Sequence, residues 1–236
     1  MNDATRSPAV SPASPPGAAL AAAWAGTDTL LLDMDGTLLD LRYDNRFWRV
    51  DVPLAWAARH RVAAGDAIAR VTARLDAAAG TLAFYCLDHW SRELDLDLKA
   101  LKADTVAGIG YLPGAVDFLT AARAHGKRLV LVTNAHPHTL ALKLERTGLD
   151  RHLDAMHSSH AFGAPKESPV FWSALARVES FEPRRAMLVE DSLPVLSTAY
   201  SAGIRHLVAV AQPDSTRPPR DTAPFAGVRC VAELLP

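Results

Sequence analysis

The chain has 236 residues, enough for one large domain or for a domain carrying an inserted lobe. Hydrophobic residues make up 49% and charged residues 22%, the balance of a globular fold. With 25 basic against 26 acidic side chains the formal net charge is −1, which argues against a general nucleic-acid or membrane-surface binder. Residues 1–26 read as a Pro/Ala-rich disordered tail: Pro8, Pro12, Pro15 and Pro16 stand among Ala and Ser, with too little apolar surface to order the segment. Ala18–Ala25 has the composition of a short lead-in helix. Preceded by Arg6, it also faintly imitates a signal peptide. The Pro and Ser before it, and the strand directly after it, argue against export.

Thr29–Asp33 is expected as the first strand, buried on both faces because Leu30, Leu31 and Leu32 are contiguous. From residue 40 to 111 the texture is helical. Asp66 is expected to cap a helix carrying Ile68, Val71, Leu75 and Ala78, which Gly80 ends. Thr81 is expected to start one that runs to Glu93, and Asp97 one through Leu98, Leu101 and Thr105. Pro53 is expected to interrupt the Phe47–His60 segment. That makes an insert of roughly four helices.

Residues 112–236 alternate strand and helix. Strands are expected at 129–132, 153–156, 187–189 and 204–210, with helices at 116–126, 137–147, 169–178 and 195–202 between them. A last short strand and helical turn are expected in 228–235. Such alternation implies an α/β fold: a parallel sheet with helices on both faces, which binds ligands beyond the carboxyl ends of its strands.

Three of these runs end in polar residues suited to phosphate chemistry: Asp33 and Asp35, Thr133 and Asn134, Glu190 and Asp191. Each alone reads as an ordinary strand end, and Asp191 as a helix cap. At one sheet edge they converge. Two carboxylates as close as Asp33 and Asp35 repel unless a cation or a proton intervenes. Asp33 is then a candidate nucleophile on phosphorus, and Asp35 an acid that protonates the leaving oxygen and later deprotonates water. Mg²⁺ is the expected cofactor, held by Asp33, the Asp35 carbonyl and Asp191, with Glu190 behind its waters. Lys166, Thr133 and the Asn134 N–H are expected on the phosphate oxygens. Lys166 alone reads as a solvated surface lysine, and Cys86 as a buried hydrophobe. His136 and His138 read as first-turn helix residues. Trp48, Tyr85 and Trp90 read as helix-insert core, with stacking on a flat base the sharper alternative and Asn45, Arg46 or Asp88 as readers of its edge.

In order, Asp33-Met-Asp35-Gly-Thr37, Thr133, Lys166 and Glu190-Asp191 resemble the four motifs of the haloacid dehalogenase-like (HAD) hydrolases. The resemblance implies a Rossmann-like core over 27–39 and 112–236 with a C1-type helical cap at 40–111. It also implies Asp33 as nucleophile, Asp35 as acid/base, Thr133 and Lys166 as phosphate binders, and Asp191 with Glu190 at Mg²⁺. An acid at position 35 favours a phosphate substrate over a halo-acid. Strings over about 30–214, among them Tyr85-Cys-Leu-Asp-His-Trp90 and His160-Ala-Phe-Gly-Ala-Pro-Lys-Glu167, are similar to the bacterial GMP/IMP nucleotidase branch of that superfamily. Glu190 stands where Asp is expected in that branch. The implied reaction is hydrolysis of a purine nucleoside 5′-monophosphate, a small-molecule partner, with no nucleic acid or membrane involved. A phosphosugar or phosphoglycolate phosphatase is the alternative within catalysis. A phospho-acceptor signalling module is the alternative outside it, disfavoured by the long insert after the first strand. With only Cys86 and Cys230 and no apolar run long enough to span a bilayer, the expected setting is the reducing cytoplasm.

Overall fold

The computed structural model describes residues 16–235 of the chain. The expected tail therefore falls mostly outside the described residues. Its last part is ordered: Pro16–Ala25 is helix α1, covering the lead-in helix expected at Ala18–Ala25, and its Trp24 is buried against Phe118. Burial of one large aromatic is enough to order a segment that composition alone would leave loose.

Six strands among the described residues form one fully parallel sheet: β1 (Thr29–Leu32), β2 (Arg128–Thr133), β3 (Ala155–Ser158), β4 (Ala186–Glu190), β5 (His206–Val210) and β6 (Ala226–Val228). Their order is β3-β2-β1-β4-β5-β6. Leu31 pairs with Val130 on one side and Leu188 on the other, so β1 is central. The apolar runs alternate faces with period two. Leu30, Leu32, Leu129, Leu131, Met187 and Val189 enter one core, and Leu31, Val130, Val132 and Leu188 the other.

The rest of the insert and the crossover helices are α2 (Arg42–Arg46), α3 (Val52–His60), α4 (Ala64–Ala77), α5 (Leu87–Leu94), α6 (Leu98–Asp104), α7 (Ala115–Ala124), α8 (Pro137–Thr147), α9 (Pro169–Val178) and α10 (Leu193–Ser201). α7 packs Phe118, Leu119 and Ala122 on the first face; α9 and α10 pack Phe171, Trp172, Leu175, Val195 and Leu196 on the second. This strand order places a topological switch point between β1 and β4, where ligands of open α/β sheets sit.

α2–α6 enclose a third core of their own, built from Phe47, Val52, Trp56, Val71, Leu75, Leu87, Trp90, Leu94 and Leu98. The chain leaves the sheet and returns to it through paired backbone: Leu112 N–H donates to the Leu38 carbonyl at 2.9 Å, and Asp40 N–H to that of Gly110 at 2.9 Å. Three details of the insert differ from the sequence-based expectation. Pro53 does not interrupt the Phe47–His60 segment. A π-helical turn at Phe47–Asp51 widens the ladder, and Pro53 sits in the first turn of α3, where its missing N–H costs nothing. Asp66 is not a cap; it lies in the first turn of α4, which follows Ala63. Thr81 caps only a short 3₁₀ turn at Leu82–Tyr85, and α5 starts separately with Cys86 as its N-cap. Cys86 is accordingly half-buried rather than a core residue. Among the described residues no helix is long and apolar enough to cross a membrane.

Candidate active site

Asp33 follows the last residue of β1, and its N–H donates to the Val189 carbonyl of β4 at 3.0 Å. The sheet's own hydrogen bonds therefore place the nucleophile candidate beside the end of β4, where Glu190 and Asp191 stand. Gly36 turns the chain immediately afterwards with φ +94°, and a Cβ there would lie 2.8 Å from Pro213 Cβ and 2.9 Å from Asp191 Cγ. Only glycine fits both the conformation and the close approach.

Lys166 is the hub. It is 2% exposed, not a surface lysine, and its Nζ donates to Asp33 Oδ1 at 2.5 Å, Glu190 Oε2 at 2.7 Å and the Val132 carbonyl at 3.0 Å. Burial opposes its charge, but Asp33 and Glu190 hold its pKa above the usual lysine value. The loop carrying it is fixed by Asn134, whose Oδ1 accepts from Lys166 N–H at 2.9 Å and whose Nδ2 donates to Glu167 at 2.9 Å. Thr133 Oγ1 accepts from Ala135 N–H at 3.0 Å, which leaves the hydroxyl proton to donate.

Asp33, Glu190 and Asp191 each present an oxygen within 4.8 Å of the others. Asp33 Oδ2 is buried with no protein partner among the described residues. Burial first, then the Glu190 charge, pushes the Asp33 pKa up to about 6. Burial likewise raises Glu190 to about 7, with Asp191 adding to it. Asp191 rises to about 7 through burial and the Asp33 charge. Three hard oxygen donors, crowded, buried and one of them orphaned, fit a divalent cation.

Asp35 lies on the other wall. Burial raises its pKa to about 6 although Lys143 pulls against it, a value that would suit an acid/base working near neutrality. Its Oδ1 accepts from Lys143 Nζ at 2.5 Å, and the same Nζ donates to Asp44 Oδ2 at 2.5 Å; Lys102 Nζ holds Asp44 Oδ1 at 3.0 Å. Burial alone would raise the Asp44 pKa, yet Lys102 and Lys143 bring it down to about 2. Sequence reasoning misses Lys102, and finds Asp44 and Lys143 only as members of strings similar to the nucleotidase branch, with no role attached to either. The signal for Lys143 is faint: it shares a helix face with Thr139, four residues earlier, and both are buried.

A cavity of about 290 Å³ joins these groups. Asp33, Asp35, Thr133, Lys166, Glu190 and Asp191 line it from the sheet side of the chain; Trp48, Arg49, Phe84 and Tyr85 line it from the insert, and His136 from the start of α8. Of the aromatics raised from sequence, Trp48 and Tyr85 reach it. Trp90 does not: it is core, its Nε1 donating to the Phe84 carbonyl at 3.0 Å. Tyr85 O–H donates to Glu167, and burial with that carboxylate raises its pKa above the usual phenol value. His136 is the N-cap of α8, one position before the first turn expected for it, and His138 lies in that turn. Asn45 lines the cavity but its amide donates to Asp214 at 2.8 Å; Asp88 is not among the lining residues, pairing with Lys99 at 2.8 Å and lying 3.4 Å from His136 Nε2.

A family model described as haloacid dehalogenase-like hydrolase matches residues 27–203. The chain is 44% identical over 193 residues to the GMP/IMP nucleotidase YrfG of Escherichia coli (strain K12), covering 82% of this chain and 87% of that protein. It is 26% identical over 214 residues to phosphoglycolate phosphatase 1 of Pseudomonas aeruginosa, covering 88% and 78%. The crystal structure of a HAD phosphatase from Thermococcus onnurineus superposes with a TM-score of 0.74 at 21% identity, over 88% of this chain and 96% of that one, a likeness of fold. A matched family model over most of the chain, a relative at this identity and a parallel sheet whose switch point gathers the motif residues lead to one conclusion: the chain belongs to the haloacid dehalogenase-like hydrolases.

Proposed function

We propose that the enzyme hydrolyses purine nucleoside 5′-monophosphates, GMP and IMP foremost, in a Mg²⁺-dependent reaction that passes through a phosphoryl group on Asp33. The coarser statement, a phosphoric monoester hydrolase, follows from the family and the 44% identical relative. The observation that carries the finer one is a single cavity lined both by the groups of phosphate chemistry and by the aromatic side chains Trp48, Phe84 and Tyr85. Such a cavity suits a small charged group joined to a flat apolar one.

In this reading Lys166, the Thr133 hydroxyl and the Asn134 N–H bind the phosphate. Lys166 fixes Asp33 Oδ1, so the carboxylate is oriented before the substrate arrives. The Asp33 carboxylate attacks phosphorus, the P–O5′ bond breaks, and Asp35 gives its proton to the leaving oxygen. Asp35, now ionised, takes a proton from the water that releases phosphate from Asp33. Asp33, Glu190 and Asp191 would hold the ion, which supplies positive charge to the phosphoryl oxygens. Glu190 also keeps Lys166 charged and in place. The helices of 40–111 act as a cap that excludes water from the cavity.

Phosphate release from GMP, IMP, AMP, UMP, phosphoglycolate and sugar phosphates, with and without Mg²⁺, tests the proposal. GMP and IMP are expected to lead, with activity lost in chelator. A second reading, a phosphoglycolate phosphatase, is favoured by the Pseudomonas relative. A lead for phosphoglycolate or a sugar phosphate would defeat the nucleotide assignment and leave the phosphatase one standing.

A further inference from the structure

We propose that Lys143 is a positioning residue for the leaving-group acid: it holds the Asp35 carboxylate at the angle needed to protonate the departing alcohol, and takes its own position from Asp44 in the helical insert. The inference rests on the reading of Asp35 as the acid.

Asp35 stands on a loop, one residue before the glycine turn, with no strand bonds of its own beyond a single bridge to Leu39. A carboxylate on such a turn needs a tether from outside the loop. Lys143 supplies it from α8. Its side chain is 2% exposed, and Asp35 Oδ1 and Asp44 Oδ2, both at 2.5 Å, are its carboxylate partners. With Oδ1 held, the other Asp35 oxygen has no hydrogen-bond partner among the described residues and remains for the substrate.

The chain continues into the insert. Lys102 is 1% exposed at its side chain, holds Asp44 Oδ1 and lies 3.9 Å over the Phe47 ring. Two buried lysines and two carboxylates thus alternate from the insert to the acid. Buried ion pairs contribute little over well-packed apolar side chains, so stability alone is a poor reason to keep this row. Its geometry points to placement: Asp44 orients Lys143, and Lys143 orients Asp35. The acid is then set only when the insert is seated on the sheet.

Leaving groups separate this role from a structural one. In the first step the P–O bond to the alcohol breaks as the bond to Asp33 forms, and the departing oxygen takes a proton from Asp35. A ribose 5′-oxygen needs that proton; a p-nitrophenolate, stable as an anion, does not. The parameter kcat/KM reports only steps up to this first irreversible one, so hydrolysis of phosphoryl-Asp33 does not enter. The purified full chain with Mg²⁺ is compared on GMP and p-nitrophenyl phosphate as parent, Lys143→Met, Lys143→Arg and Asp35→Asn. Lys143→Met is expected to lower kcat/KM for GMP by about 10–100-fold, a partial loss reaching at most the lower end of a general acid's roughly 10²–10⁴-fold contribution. For p-nitrophenyl phosphate the loss stays within about threefold. Lys143→Arg, which keeps the charge, is expected to show the same split, smaller. Equal losses on both substrates in the Lys143 variants, or no loss, while Asp35→Asn shows the split, overturn the inference alone. No split in Asp35→Asn overturns the acid role of Asp35 and the inference with it.

Discussion

Replacing Asp33 with Asn is expected to abolish turnover and, at neutral pH without metal, to make the protein more stable. The reasoning starts from the raised pKa. Asp33 ionises at about 6 in the fold against 3.8 for the ordinary carboxyl, because burial and the Glu190 charge outweigh Lys166. The folded state therefore binds more protons than the unfolded chain between these values, and stability falls as pH rises through them. The penalty is absent well below 3.8 and complete above about 6. With about 1.4 kcal/mol for each tenfold change, it amounts to about 3 kcal/mol at pH 7.5 and about 1 kcal/mol at pH 4.5. Asn imitates the protonated acid in shape and charge, and Lys166 keeps Glu190 and the Val132 carbonyl as partners. Asp33→Asn should then recover most of the penalty. At roughly 2–4 °C per kcal/mol for a chain of this size, the melting temperature in chelator at pH 7.5 rises by roughly 6–12 °C, and by a third of that at pH 4.5. Saturating Mg²⁺ narrows the gap, since the parent gains from the ion and the variant less. Thermal melts at both pH values, with and without Mg²⁺, check it. A variant no more stable than the parent at pH 7.5 in chelator, or a gain independent of pH, refutes the electrostatic account. Measurable GMP hydrolysis by the variant removes Asp33 as nucleophile.

Lys166→Met leaves Asp33 and Glu190 buried without their countercharge. It is expected to cost ~3–5 kcal/mol at pH 7.5 in urea denaturation, and less at pH 5, where both carboxylates take up protons. An equal cost at the two pH values counts against the ion-pair reading. Gly36→Ala forces a Cβ within 2.9 Å of Asp191 Cγ at φ +94°. A loss of ~1–3 kcal/mol is expected, with a raised Mg²⁺ requirement for activity because Asp191 must move. An unchanged Mg²⁺ dependence shows that Asp191 is not displaced.

The sequence determined the architecture because strand periodicity and burial are local. Leu30-Leu31-Leu32, Leu129–Val132 and Met187–Val189 are apolar on every residue, and such runs are stable only between two layers of helix. It also marked the site at the polar ends of those runs, since strand ends of a parallel sheet must share an edge. What it left open are contacts made across long separations. Motif order singles out Lys166 but says nothing of its burial: alone it reads as a solvated lysine, whereas it is 2% exposed and its partner Asp33 is 133 residues away. Lys143 meets Asp35 over 108 residues and Asp44 over 99, so the charged row from the insert to the acid exists only once α6, α8 and the loop after β1 are packed together. The same holds for the aromatics: Trp48 lines the cavity and Trp90 fills the core, although both are tryptophans on helical segments of one insert. Composition and spacing are properties of the chain; which face of a helix meets a cavity depends on the packing of other helices, and only the tertiary structure decides it.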